Sequence, residues 1–432
     1  MRAWMLVIVM LAVLPGAARA QRPGGPFGGL FGRTPPPTGA ELTSLEFRTA
    51  TGAQFDDRWL LPEGSPDGIP SSGITAGTNV GLGFERRVDR LRFSLAAGST
   101  YQQFFQAPRF GATTYDASSL LIAKVGARLS VDASATAMRS PFFQINPVVP
   151  APGPLPEVPV PGERFSARRL ANDSFEGKAG FTSQYSRRST LSFGITHREM
   201  RFPTQPGNNF SVSGANGLWR HHVSKDLALR LGYGREDART TSLGPETFVH
   251  ETIDAGFDFE KELTLARRTA FSAFTQTSML RENGGPRRYR LNGGASLQRG
   301  FKRSWSSSLV FNRTTEFVAG FATPLFSDAL SAAIGGQLAR RVDWTGGVGA
   351  GRSQVGFEGD GRFLTYSATS RLSAGLVRNL GLYAQYTFYH YEIPPGSSVV
   401  DLLPAMSSQS VSAGVSVWVP IIHRVRAPRD PR

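Results

Sequence analysis

The feature that most constrains this chain is a period of two, repeated along most of its length in segments of roughly ten to fifteen residues. Between Thr247 and Glu260, the residues Val249, Ile253, Ala255, Phe257 and Phe259 fall on one side of an extended chain. His250, Thr252, Asp254, Gly256, Asp258 and Glu260 fall on the other, and only Glu251 breaks the apolar side. Successive side chains of a strand point to opposite faces, so each such segment reads as a strand with one apolar and one polar face. The same division sets Leu191, Phe193 and Ile195 against Ser192, Gly194 and Thr196. Near the end it sets Val411, Ala413, Val415, Val417 and Val419 against Ser410, Ser412, Gly414 and Ser416.

A soluble sandwich also alternates, with its apolar face turned to a core. Its strands usually run about five or six residues, and these are longer. The polar faces here carry Ser, Thr, Gly, Asn and Gln rather than the Lys and Glu of a solvated surface. Connections alternate between short and long. The short ones hold basic knots, Arg86-Arg87, Arg128, Arg187-Arg188, His221 to Lys225, Arg267-Arg268, Arg299 to Arg303, Arg340-Arg341 and Arg378. The long ones are neutral or polar, such as GSPDGIPSSG, PTQPGNN and ENGGP. In hydrocarbon every backbone N–H and C=O must be paired within the protein, so a sheet spans a bilayer only when it closes on itself. One apolar face per strand, with short turns on one side and long loops on the other, is the signature of that closure. The fold class expected is all-β, a transmembrane antiparallel up-and-down barrel of about 18 strands. It would be 16 if the least regular stretches, 42–51 and 113–140, are discounted.

The rest of the chain fits that frame. MRAWMLVIVMLAVLPGAARAQ carries Arg2, an apolar run and the small-residue site Ala18-Arg19-Ala20, which reads as a signal peptide over 1–20, cleaved after Ala20. A Gly/Pro-rich leader follows at 21–40, the barrel at 41–419 and a basic tail at 420–432. Within the barrel, PFFQINPVVPAPGPLPEVPVP at 141–161 holds eight prolines. It reads as an extended surface loop more readily than as a plug that narrows a pore. Cysteine is absent, which removes disulfide scaffolds and thiolate metal sites. The net charge of +15 on an exported chain points to anionic lipid or solute rather than nucleic acid.

At these residues the chain resembles bacterial outer-membrane β-barrels of the porin-like type. The likeness rests on the signal peptide, the alternation from Glu41 onward, the aromatic strand ends, and short turns set against long loops. Such barrels commonly end on an aromatic residue read by the assembly machinery. Here Val415-Ser416-Val417-Trp418-Val419 is followed by PIIHRVRAPRDPR, so Trp418 stands in that place with a basic tail added. A narrower resemblance, resting on strand number and Arg-rich turns such as SRRSTL, is to barrels that accompany exopolysaccharide export. The resemblance implies outer-membrane lipid and the assembly machinery as partners, and a periplasmic export complex under the export reading.

Strand parity assigns Arg92, Lys124, Lys178, Arg198, Arg230, Arg290 and Arg371 to the lumen, with Asp254 and Asp258 among the acids against them. Rings of like charge would favour anionic solutes; pairing across strands would only fill the lumen. Arg86, Arg87, Arg187, Arg188, Arg267, Arg268, Arg340 and Arg341 are assigned to periplasmic turns, at the level of lipid headgroups. No catalytic motif, metal cluster or cofactor loop is found. His250 near Asp254 is the one pair with any chemical interest, and nothing supplies it with a nucleophile. The function expected is an outer-membrane channel giving passive passage to polar or anionic solutes. The alternatives are a barrel partner for polysaccharide export and a non-conducting structural or adhesive barrel.

Overall fold

The computed structural model describes residues 41–57, 72–105, 111–141, 171–204, 209–240, 246–262, 269–282, 287–301, 304–316, 324–356, 361–377, 379–392 and 406–426. The signal peptide, the leader, residues 142–161 of the proline-rich loop, and Arg267 and Arg268 lie outside them.

The first nine strands are β1 (Glu41–Asp56), β2 (Gly73–Val88), β3 (Leu91–Phe104), β4 (Ala112–Lys124), β5 (Leu129–Ser140), β6 (Asn172–Ser183), β7 (Ser189–Arg201), β8 (Phe210–His222) and β9 (Leu227–Thr240). The next nine are β10 (Glu246–Glu262), β11 (Thr269–Glu282), β12 (Arg288–Phe301), β13 (Trp305–Glu316), β14 (Leu325–Ala339), β15 (Val342–Val355), β16 (Gly361–Val377), β17 (Leu380–Glu392) and β18 (Met406–Arg426). Every strand pairs antiparallel with its sequence neighbours, and β1 pairs with β18, so the 18-stranded sheet closes into a barrel. Closure leaves no exposed sheet edge.

Strand parity divides the wall as the alternation demands. Leu229, Leu231, Leu291, Leu309, Phe311, Leu330, Leu372 and Val411 are large apolar side chains that stay exposed on the outer face. In register between them, Asn79, Ser278, Ser331, Ser353, Ser408 and Ser412 are buried on the inner face. This is the reverse of a water-soluble protein, and it fits a wall whose outside solvent is hydrocarbon. Near the short-turn end, outward aromatic rings meet: Phe84 with Phe93, Phe259 with Phe271 and Phe301 with Trp305 across neighbouring strands, Trp219 with His221 along β8, and Trp305 with Trp344 over Gly336 of β14. Near the long-loop end Tyr366 stacks on His390, and Tyr101, Tyr115, Tyr233 and Tyr289 are exposed. Amphipathic rings of this kind suit the two lipid–water boundaries.

Several boundaries differ from the sequence reading: His221 and His222 lie in β8 and Arg299 in β12 rather than in short connections. Arg86 and Arg87 lie inside β2, opposite Phe93 and Arg92, and only Asp89 and Arg90 make the turn. The pairing of Val88 with Leu91 shortens that connection to two residues. At the C-terminus, β18 does not stop at Val419. It continues to Arg426, pairing with β1 as far as Glu41, with a register shift between Leu45 and Glu46 beside the donorless Pro420. The first part of the expected tail is therefore strand.

Candidate functional site

Parity places Arg92 on the inner face of β3, Lys124 on β4, Lys178 on β6, Arg198 on β7, Arg230 on β9, Asp254 and Asp258 on β10, Arg290 on β12 and Arg371 on β16. They are spread around the wall, and only Arg230, Asp254 and Asp258 come together.

In that cluster Arg230 is paired in register with Gly256, and Asp254 and Asp258 lie two residues to either side. Its guanidinium donates from Nη1 to Asp258 Oδ1 at 2.9 Å and from Nη2 to Asp254. Arg220, directly opposite Arg230 on β8, also reaches Asp258. Like charges directly opposite repel, and the two carboxylates offset that repulsion. The backbone makes room for the cluster. The β10–β11 ladder breaks between Ile253↔Thr277 and Asp258↔Phe274, so four residues of β10 face two of β11. Gly256 sits in that bulge, where any Cβ would run into Thr275. The Arg230 guanidinium also lies 5.6 Å from the Phe274 ring centroid.

A second packed region surrounds Arg371, which is buried, opposite Thr345 and Gln385. Its guanidinium lies 4.9 Å from the Tyr383 ring centroid. Gly52 and Gly414 face each other across β1 and β18, and their missing side chains leave the notch that the Tyr383 hydroxyl occupies.

Three further ion pairs lie on the inner face. Arg92 meets Glu85 at 3.1 Å, Lys178 meets Glu176 at 2.6 Å, and Arg48 meets Glu46 at 2.9 Å, with Trp418 Nε1 donating to the same Glu46 carboxylate at 3.0 Å. The sequence reading had left out several inner residues. By strand face the described cations are Arg48, Arg87, Arg92, Lys124, Lys178, Arg198, Arg220, Arg230, Arg288, Arg290 and Arg371. Acids on the same face include Glu46, Asp56, Glu85, Asp116, Asp132, Glu176, Glu236, Asp254, Asp258, Glu260 and Asp343. Both signs occur on this face, so the described inner wall is mixed rather than a set of like-charged rings.

His250 is buried and its Nδ1 lies 3.1 Å from Glu236 Oε2, directly across β9 and β10, while Asp254 is held by Arg230. The His250–Asp254 pair that the sequence offered is thus divided between two other partners. Among the described residues no group of His, Asp and Glu side chains is arranged to hold a metal ion.

Of the basic turn residues, Arg187 and Arg188 occupy the bend between β6 and β7, and Arg340 and Arg341 form the whole connection between β14 and β15. Arg341 Nη1 donates to the Leu376 carbonyl at 3.1 Å, tying that turn to the next hairpin. The sequence reading missed a charged band on the outer face near the long loops. There Arg139 meets Asp173 at 3.6 Å, Arg201 meets Glu199 at 2.7 Å and Arg235 meets Asp237 at 3.0 Å. Tyr233 donates to Glu251 at 2.7 Å, which explains why Glu251 interrupts an apolar face. Opposite charges two residues apart, as in REDAR and HREMR, were its signal.

Among the described residues, the wall has a seam between β12 and β13. Most neighbouring ladders run nearly the full strand, but β12–β13 covers only Gly293↔Arg313 to Phe301↔Trp305. Above it, outer-face residues of β13 and β14 lie over the inner face of β12. Thr315 Oγ1 donates to Asn292 Oδ1 at 3.2 Å, and Asn292 in turn donates to Ser278. Asp328 accepts from Arg313 at 2.7 Å and from Arg290 at 3.1 Å. The Arg290 guanidinium lies 4.7 Å from the Phe326 ring centroid. Leu325, Phe326 and Ser327 are all buried, so both faces of β14 are covered there. Beside the seam Tyr289 and Leu291 are 62% and 59% exposed on the outside, as expected where β11 flanks them on one side and β13 does not pair with them on the other.

No protein-family model matches the chain, and no curated protein matches it. Solved barrels are similar in shape. OccK2 (OpdF) of Pseudomonas aeruginosa, in complex with glucuronate, is 8% identical with a TM-score of 0.46, over 88% of this chain and 98% of that one. OccAB2 of Acinetobacter baumannii is 11% identical with a TM-score of 0.43, over 88% of this chain and 98% of that one. OpdL of Pseudomonas aeruginosa is 12% identical with a TM-score of 0.42, over 88% of this chain and 99% of that one.

Proposed function

We propose that this protein is an integral outer-membrane channel through which small polar solutes diffuse. The observation that carries the reading is the sorting of the closed wall, with exposed apolar side chains outside and buried polar and charged ones inside. Lipid demands the first and an aqueous lumen the second. The signal-peptide sequence and the basic short turns orient the barrel with its short-turn rim in the periplasm. Because the described inner wall carries both signs, neutral solutes and anions pass together, with lumen width as the main selector. Proteoliposome swelling tests this: small neutral sugars and small organic anions should enter at similar rates. Liposomes that swell no faster than empty ones would favour the non-conducting alternative.

The orientation has its own test. Cysteines introduced by Arg187→Cys, in a short turn, and Thr204→Cys, beyond the other end of β7, should differ in intact cells. Only the Thr204→Cys variant should react with a membrane-impermeant maleimide. Labelling of the Arg187→Cys variant alone would invert the barrel.

A further inference from the structure

We infer that the long-loop end of the barrel is a lap joint with two closures, and that the choice between them sets the width of the lumen. This rests on the channel reading and adds its regulation. In the closure seen here the end of the β13–β14 hairpin lies inside β12 rather than beside it. That shortens the wall at this level by one inter-strand spacing, about 4.8 Å, and places Thr315 of β13 and Asp328 of β14 on the lumen side of β12. The other closure is already encoded. Continuing the register from Gly293↔Arg313 would bring Asn292 opposite Thr314 and Leu291 opposite Thr315, flush in the wall.

The two closures exchange comparable interactions. The lapped form has the Arg290–Asp328 ion pair, the Thr315–Asn292–Ser278 chain of hydrogen bonds and the ring of Phe326 beneath Arg290. The flush form gains ladder hydrogen bonds for strand edges that now border lipid level, where backbone pairing is most needed. Asp328 remains held by Arg313 either way, because that contact is internal to the β13–β14 hairpin. Arg290 is therefore the latch: its bond to Asp328 crosses the seam.

The chain has no cysteine, so paired cysteines report on the seam directly. Asn292→Cys with Thr315→Cys joins residues that touch only in the lapped form. Leu291→Cys with Thr315→Cys joins residues that face each other only in the flush form, at a separation a disulfide spans. Under mild oxidation of the folded barrel in liposomes, both pairs should cross-link, as read by intact mass. Arg290→Gln should raise the yield of the Leu291→Cys/Thr315→Cys cross-link at least twofold. In planar bilayers the flush-locked barrel should conduct at least twofold more than the lapped-locked one, and dithiothreitol should abolish the difference. The inference is overturned if the Leu291→Cys/Thr315→Cys pair stays reduced while the other closes, or if the two locked barrels conduct alike. A barrel that cross-links both ways but passes no current would refute the channel and leave the two closures standing.

Discussion

Arg230 holds two carboxylates at once, and the worth of that contact follows from what its removal leaves behind. Without it Asp254 and Asp258 would share one side of the wall with only Arg220 against Asp258. Orphaning a largely buried ion pair costs about 3 kcal/mol. Arg230→Ala should therefore lower folding stability in a guanidinium titration by about that amount, and adding Asp254→Asn and Asp258→Asn should recover most of it. A triple variant as unstable as the single one would show that the guanidinium matters for packing instead. Arg92→Ala makes the contrast, because its partner Glu85 is reached from a more exposed side chain; it should cost less than about 1 kcal/mol. Alternation was enough to put Arg230, Asp254 and Asp258 on one face. It could not show that Arg230 stands opposite Gly256, because register across two strands depends on the turn and on the bulge between Ile253 and Asp258. Arg220 was left out of the inner set although it precedes the knot read at His221 to Lys225, and the chain stays in β8 through His222.

At the scale of the strand, the period of two assigns opposite solvents to neighbouring residues. Leu231→Arg, on the outer face of β9, should destabilise the barrel by about 2–4 kcal/mol if its level is mid-bilayer. Ser118→Arg, on the inner face of β4, should change stability by less than about 1 kcal/mol, since it faces water. Refolding titrations into liposomes would compare them, and equal penalties would mean that the faces have been confused. The count and faces of the strands were legible because eighteen segments repeat one rule. The seam was not: β12 and β13 alternate as regularly as the rest, and nothing in RYRLNGGASLQRGF shows that pairing to the next strand stops at Gly293. The extension of β18 was hidden for a different reason, since Pro420 interrupts the pattern and a bulge restores it.

For the whole molecule, closure is the property from which the rest derives. An even number of strands puts Glu41 and Arg426 together at the short-turn rim, and pairing of β1 with β18 closes the wall so that it has no edge strand. The mixture of both signs on the described inner wall argues against a strong electrostatic filter. The central claim is that this closed wall encloses a continuous aqueous path. Single-channel recording of the refolded barrel in a planar bilayer tests it most directly, with folding verified by heat-modifiable gel mobility. Discrete conductance steps should appear, growing in proportion to salt concentration, and a salt gradient should give a reversal potential close to zero. A folded barrel that inserts and passes no current at any salt concentration would contradict it.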